Sequence, residues 1–220
     1  MKLTYLGHSA FEICTNGQKI LVDPFLVKSP NYDCSGVTDI FVTHGHSDHL
    51  GSAIEISKKT KAKITAIFEL ANYCSSKGAN ANGINLGSKI TYSWGKVSAV
   101  PAFHSNSTPE GIYGGCPCGY VFEIENRIIY HAGDTCLNQE MKTTGEFYKP
   151  DISILPVGGY FTMDIKEAVK ASEWLASNTI IPMHYNTFGL INVNINSFKE
   201  DLEKIGKIAL IPEIGVPLEL

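Results

Sequence analysis

Seven consecutive residues, Thr43-His44-Gly45-His46-Ser47-Asp48-His49, constrain this 220-residue chain more than any other stretch. They follow the apolar run Asp39-Ile40-Phe41-Val42, and Ile40-Phe41-Val42-Thr43 reads as a buried strand that delivers them. Three imidazoles and a carboxylate therefore gather where a strand stops. Crowded imidazoles gain little from burial, and each needs a hydrogen-bonding or metal partner once desolvated. The segment reads as a metal site, with ligands for one ion or two.

Other candidate ligands occupy the same kind of place. His104 follows Val100-Pro101-Ala102-Phe103, Asp134 closely follows Ile128-Ile129-Tyr130, and His184 follows Ile180-Ile181-Pro182-Met183. Strand ends on one rim can converge from distant parts of a chain, so that rigid strands hold the site and loops shape the pocket. The set is five His and two Asp (His44, His46, Asp48, His49, His104, Asp134 and His184), without sulfur. It suits zinc first, with manganese or iron also compatible. Seven ligands exceed what one tetrahedral ion uses. Two divalent ions about 3.5–4 Å apart, sharing a carboxylate and a water, would use them all.

Composition narrows the rest. A formal charge of −4 gives no basic footprint for nucleic acid, and a 44% hydrophobic content is that of a globular protein. No apolar run approaches the roughly 18 residues that span a bilayer, and the start carries no signal-peptide core, so a cytoplasmic protein is expected. The six cysteines are scattered and read as reduced thiols, Cys116-Pro117-Cys118 included. Short strands are expected at 2–6, 10–15 and 19–23, with Asn16-Gly17 as a hairpin turn. Helices are expected near 51–59, 69–77, 137–147, 164–176 and 197–205, with an Asn/Gly-rich break after the second. No flexible linker appears, so a single domain over 1–220 is the reading.

The spacing His44-x-His46-x-Asp48-His49, with the later His104, Asp134 and His184, resembles the signature of the metallo-β-lactamase superfamily. Three stretches narrow the likeness. They are Leu3-Thr4-Tyr5-Leu6-Gly7-His8-Ser9, Tyr130-His131-Ala132-Gly133-Asp134-Thr135 and Ile181-Pro182-Met183-His184-Tyr185-Asn186-Thr187. They resemble a group of small bacterial and archaeal metal-dependent hydrolases that is similar to the ascorbate-6-phosphate lactonases. The resemblance implies an α/β (α+β) fold, a four-layer αββα sandwich with a binuclear centre on one rim. It implies that His44, His46 and His104 hold one metal, that Asp48, His49 and His184 hold the other, and that Asp134 bridges them. An Asp at the bridge argues against a true β-lactamase. His46 departs from the Glu of the flavodiiron members, which argues against oxygen reduction.

The chemistry so implied is attack by a bridging hydroxide on an ester, lactone or phosphodiester bond of a small molecule. Metal binding lowers the pKa of water from near 15.7 to about 7. Asp48 is the residue expected to orient that water and accept its proton. A nuclease or phosphodiesterase acting on nucleic acid and a non-catalytic metal-dependent binding protein are the rival readings. Oligomeric state is not set by the sequence, and the resemblance to lactonases is compatible with a homo-oligomer.

Other residues carry open alternatives. His8, in Gly7-His8-Ser9, faces the substrate or packs behind the ligands, and His131 supports Asp134 or takes part directly. Tyr160 and Thr162, in Gly158-Gly159-Tyr160-Phe161-Thr162-Met163, are substrate contacts if that loop is more than a strand-to-helix connection capped by Asp164. The Ser105–Gly115 loop is a candidate lid.

Overall fold

The short β-branched runs of the sequence become strands in the computed structural model, which describes residues 1–220. The chain sorts into two compact units, each gathered from separated stretches. Unit 1 takes Met1–Ser88, Ser105–Cys118 and Pro212–Leu220, and unit 2 takes Lys89–His104 and Gly119–Ile211.

Unit 1 opens with an antiparallel meander of β1 (Lys2–Gly7), β2 (Ala10–Thr15) and β3 (Gln18–Val22). The β2–β3 turn falls at Asn16-Gly17, where φ is 47° and 73° as a tight hairpin requires. There follow β4 (Val37–Phe41), a one-turn helix α1 (Ser47–Leu50), α2 (Ala53–Thr60), β5 (Lys63–Ile67), α3 (Phe68–Ser76) and β6 (Ala81–Ile84). Strands β3 to β6 run parallel. Ile20, Leu21, Val22, Ile40, Phe41 and Ile64 are at most 1% exposed, the pattern of strands buried on both faces. Helices α2 and α3 lay Ile56, Leu70, Ala71 and Cys74 onto this sheet against Leu21, Ile40, Ile64 and Ala66. Each such large side chain contributes about 2 kcal/mol on burial. Helix α1, with four residues, has no stability of its own and is held by what it packs against.

Unit 2 begins with the hairpin β7 (Lys89–Tyr92) and β8 (Gly95–Pro101), then the pair β9 (Cys118–Ile124) and β10 (Arg127–His131). After them come α4 (Glu140–Tyr148), β11 (Ile152–Pro156), α5 (Ile165–Leu175), β12 (Thr179–Met183), α6 (Ile195–Lys204) and β13 (Ile208–Ala209). Strands β10 to β13 are parallel, and the sheet order is β13-β12-β11-β10-β9-β8-β7. Helix α5 packs on β11 between α4 and α6. Its start carries the expected cap: Asp164 Oδ1 accepts from Glu167 N at 2.8 Å, and Glu167 Oε2 accepts from Asp164 N at 3.0 Å. The strand β14 (Pro217–Glu219) returns to unit 1, pairs with β1, and completes the order β14-β1-β2-β3-β4-β5-β6.

The mixed α/β class with two sheets is the expected one, and three local readings change. The Asn/Gly-rich break contains β6, because a Cβ on Gly83 would lie 2.7 Å from the Phe68 ring and only glycine lets this edge strand meet α3. Composition hid that strand, since Asn and Gly disfavour sheets. The helix expected over 51–59 is α2, starting at Ala53, and the one-turn α1 before it, which ends at Gly51 with φ of 45°, was not expected. Strand β4 spans Val37–Phe41 and stops two residues earlier than expected, which leaves Val42 and Thr43 to form the turn into the histidines. No helix is long and apolar enough to cross a membrane.

Candidate metal centre

In unit 1 the histidines sit on the loop from β4 into α1. His46 precedes the helix, Asp48 falls in its first turn and His49 in its last. One buried carboxylate organises them. Asp23, just after β3 and fully buried, accepts from Thr43 N at 2.8 Å, from Thr43 Oγ1 at 2.7 Å and from His49 Nδ1 at 2.8 Å. A carboxylate can only accept, so the His49 proton is on Nδ1 and its lone pair is on Nε2. The Thr43 hydroxyl spends its proton on Asp23 and is 3.1 Å from His44 Nδ1, where it accepts. His44 is thereby set in the same tautomer. One anion thus prepares two imidazoles as Nε2 ligands, the usual arrangement behind metal-bound histidine.

Backbone geometry holds the rest. A Cβ on Gly51 would lie 2.4 Å from the Pro24 carbonyl oxygen, which shows how closely the end of α1 meets the Asp23-Pro24 loop. Ser52 N donates to that carbonyl at 3.0 Å. Asn106 braces the other side, taking Gly45 N on Oδ1 at 2.7 Å and donating from Nδ2 to Gly114 O at 2.8 Å. The Ser105–Gly115 loop is therefore tied at its base to the histidine loop, while its tip, at Ile112 and Tyr113, is exposed.

The donor atoms of unit 1 face one another. His44 Nε2 is 3.0 Å from His46 Nδ1, and His8 Nε2 is 3.2 Å from Asp48 Oδ2. One donor atom each of His8, Asp48 and His49 lies within 4.8 Å of the others. The His8 side chain is fully buried while Asp48 is about a quarter exposed, so His8 backs the Asp48 carboxylate. Its φ of 57° and the bond from Tyr5 Oη to its carbonyl at 3.0 Å turn the ring that way.

Unit 2 brings together its own three predicted ligands. His104, Asp134 and His184 stand just past the ends of β8, β10 and β12. Asp134 Oδ2 is 3.6 Å from His104 Nε2 and 3.1 Å from His184 Nε2, so two imidazoles meet one carboxylate oxygen. Thr135 ties the strand ends together. Its Oγ1 accepts from Phe103 N at 3.0 Å, and its carbonyl accepts from Met163 N at 3.1 Å. A Cβ on Gly158 would be 2.1 Å from the His184 carbonyl oxygen, so glycine is required for His184 to hold its place, at φ of 55°. Nδ1 of His131 accepts from Gly133 N at 3.2 Å, which shapes the turn into Asp134. Half-buried Tyr185 has its phenol pushed up by burial and stays a neutral hydroxyl. Tyr160 and Thr162 occupy the loop after β11, Tyr160 being 74% exposed.

Both donor sets suit a divalent cation. They offer imidazole nitrogen and carboxylate oxygen, buried or half-buried and mutually facing, and in unit 1 His44 and His49 are also oriented from behind. Three residues in this scaffold escaped the sequence reading: Asp23, Asn106 and Thr135. Asp23 had a signal, since it follows Lys19-Ile20-Leu21-Val22 at a strand end, as the ligands do.

Comparison with known proteins agrees with this picture. Residues 2–184 match the model of the β-lactamase superfamily domain. A UPF0173 metal-dependent hydrolase of Anoxybacillus flavithermus is 41% identical over 221 residues, covering 97% of this chain and 98% of the relative. Another, of Methanosarcina barkeri, is 42% identical over 228 residues, covering 100% and 99%. The solved structure of Igni18, a metallo hydrolase from the archaeon Ignicoccus hospitalis, aligns with a TM-score of 0.88 at 34% identity, over 100% of this chain and 98% of that one.

Proposed function

The chain belongs to the β-lactamase superfamily, among its metal-dependent hydrolases, and on that premise we propose that its two units act as one metallo-hydrolase domain with a two-metal centre. His44, His46 and His104 would hold one ion and Asp48, His49 and His184 the other, with Asp134 offering its carboxylate to both. Zinc suits the nitrogen and oxygen donors best. Such a pair of ions supplies an activated water at neutral pH and polarises the oxygen under attack. The substrate is a small molecule with an ester, lactone or phosphodiester bond.

The chain's own groups supply the remaining work. Asp48 is the carboxylate that takes the water's proton, and His8, at 3.2 Å, orients it. Asp23 keeps His49 and, through Thr43, His44 in the ligand tautomer. The observation that carries this reading is Asp134, whose single oxygen is faced by imidazoles from two separate strand ends at 3.6 and 3.1 Å.

The test combines metal analysis with turnover. The intact protein is expected to carry about two zinc ions per chain, and its hydrolysis is expected to stop on chelation and return with zinc. Asp134→Ala should lower kcat/KM at least about a hundredfold, the scale on which losing a bridging or polarising group is felt. Full turnover in Asp134→Ala, or hydrolysis indifferent to chelation, would refute the reading.

A further inference from the structure

The ligand-bearing end of unit 2 is rich in exposed apolar side chains. Phe103 immediately precedes His104 and is 53% exposed. Tyr160 is 74%, Phe161 50%, Phe188 44% and Leu190 60% exposed. Their placement follows from the sheet. Strand β11 lies between β10 and β12, parallel to both, with His131 beside Ile154 and Pro156 beside Met183. The loop bearing Tyr160 and Phe161 thus leaves the sheet between the strand that delivers Asp134 and the strand that delivers His184. Met163 N, bonded to the Thr135 carbonyl, fastens it on one side, and the approach of Gly158 to the His184 carbonyl fastens it on the other.

Burial does not explain Tyr160. Its φ of 51° is a left-handed conformation that bulky side chains avoid, and its ring gains little from burial. Its ring meets Phe161 edge-on at 4.7 Å between centroids, so the strained residue holds a two-ring apolar ledge open to solvent, and strain kept at such a place points to a role in function. Charge adds an independent argument. The stretches Thr43–Ser52, Ala102–His104, Ala132–Gln139, Val157–Asp164 and His184–Asn194 contain no Lys or Arg. Phosphate groups are ordinarily gripped by those residues.

We propose that the substrate is an uncharged carboxylic ester or lactone carrying an alkyl or aryl group, which lies on Tyr160, Phe161 and Phe188 beside His184 and Asp134. This rests on the hydrolase reading and narrows it. Water adds to the acyl carbon, the bond to the alkoxy oxygen breaks, and that oxygen takes a proton, giving a carboxylic acid and an alcohol. The apolar rim binds the organic group by burial, where each methylene moved fully out of water is worth about fourfold in affinity.

The zinc-loaded protein is assayed on p-nitrophenyl acetate, butyrate and octanoate and on bis(p-nitrophenyl) phosphate. kcat/KM is expected to rise at least about tenfold from acetate to octanoate, and the phosphodiester to be the poorest substrate. Tyr160→Ser combined with Phe188→Ser should lower the octanoate value about tenfold more than the acetate value. The same double variant should weaken binding of 1-octanol, which has no scissile bond, in calorimetry. Tyr160→Gly, which relieves the backbone, should raise Tm by about 2 °C while reducing selectivity for octanoate. A flat acyl series, a faster phosphodiester, or an intact preference in these variants overturns the proposal and leaves the hydrolase reading standing. So does a changed oligomeric state with unchanged selectivity, which would give the rim to a second copy of the chain. Absence of turnover on every substrate by metal-replete protein would instead strike the hydrolase reading.

Discussion

Replacing Asp23 by Asn changes one buried group by almost no volume and sets three hydrogen bonds against one another. The amide oxygen can still accept from Thr43 N, now at 2.8 Å on Oδ1. The new NH₂ then faces the Thr43 hydroxyl and His49 Nδ1, which donate at 2.7 and 2.8 Å in the native protein. Donors would meet donors. Thr43 Oγ1 must turn its proton away, and His49 must move its proton from Nδ1 to Nε2, the nitrogen required for metal. Two charge-assisted bonds are lost, each contributing about 1.5–3 kcal/mol, and the amide recovers part of that by reorientation. A net loss of about 3 kcal/mol follows, readable as a lower urea midpoint of the metal-free protein. This is within the 5–15 kcal/mol of an ordinary domain, so about that much destabilisation leaves it folded. Zinc affinity, measured by chelator competition, should fall about 10- to 100-fold, the usual penalty for removing the group behind a ligand histidine. Imidazole ¹⁵N shifts should show His49 moving to the Nε2-protonated tautomer. Thr43→Val, which breaks only the relay to His44, should perturb that ring and leave His49 as it is. Native tautomers in both rings of Asp23→Asn, with zinc affinity within about threefold, would refute the claim that this carboxylate prepares the site.

Two further predictions concern other parts of the scaffold. Gly158→Ala places a methyl 2.1 Å from the His184 carbonyl and 2.9 Å from Ile191 Cβ, so the His184 turn must shift. We expect a stability loss of about 1–3 kcal/mol, with zinc affinity at least about tenfold lower, and a native affinity would show that His184 is not a ligand. Burial pushes the Cys74 thiol up to about 12. The unfolded chain releases this proton above about pH 9 while the folded chain keeps it, so stability should fall as pH rises from about 9 to 12. The slope from this group is up to about 1.4 kcal/mol per pH unit. Urea midpoints of Cys74→Ala should lack that component, and identical alkaline slopes for both proteins would count against it.

Much of this candidate site was legible because metal-binding side chains are chemically distinctive. Histidine directly after an apolar run has few other uses, so His44, His46, Asp48, His49, His104, Asp134 and His184 could be picked out as candidate ligands, and the structure gathers the first four in unit 1 and the last three in unit 2. The supporting groups could not be read in the same way. Asp23 stands after an apolar run as the candidate ligands do, but before Pro24 it equally suits an ordinary turn, and its partners Thr43 and His49 appear only once β3 and β4 lie side by side. Asn106 and Thr135 are common loop residues whose partners, Gly45 and Phe103, are distant in sequence. Among the elements, strongly apolar strands such as β4 and β12 were clear, whereas β6 has two residues, Asn82 and Gly83, that report against a strand. There a close contact with Phe68 outweighs local preference. Helix α1 was not read at all, because its single turn is held in place by the approach of Pro24 to Gly51, which is not local information.

The three-part make-up of unit 1 bears on how the chain can fold. Its sheet needs β14, and its histidine loop needs the Asn106 brace, yet all of unit 2 from Lys89 to His104 and from Gly119 to Ile211 is threaded between these pieces. Residues 1–88 can lay down six strands early, but β1 keeps an unpaired edge until Leu3 meets Leu218. That closure spans nearly the whole chain, so its entropy is spent late and the contact order is high. During the wait the open edge of β1 is a template for pairing with another molecule. A nascent or truncated form lacking 212–220 would therefore be the aggregating species. The histidine loop, in turn, gains its Asn106 restraint only after residues 89–104 have been traversed. The Asp23 bonds to Thr43 and His49 lie within residues 23–49 and can form early, so the histidine loop is ordered in two stages, the second arriving with long-range closure.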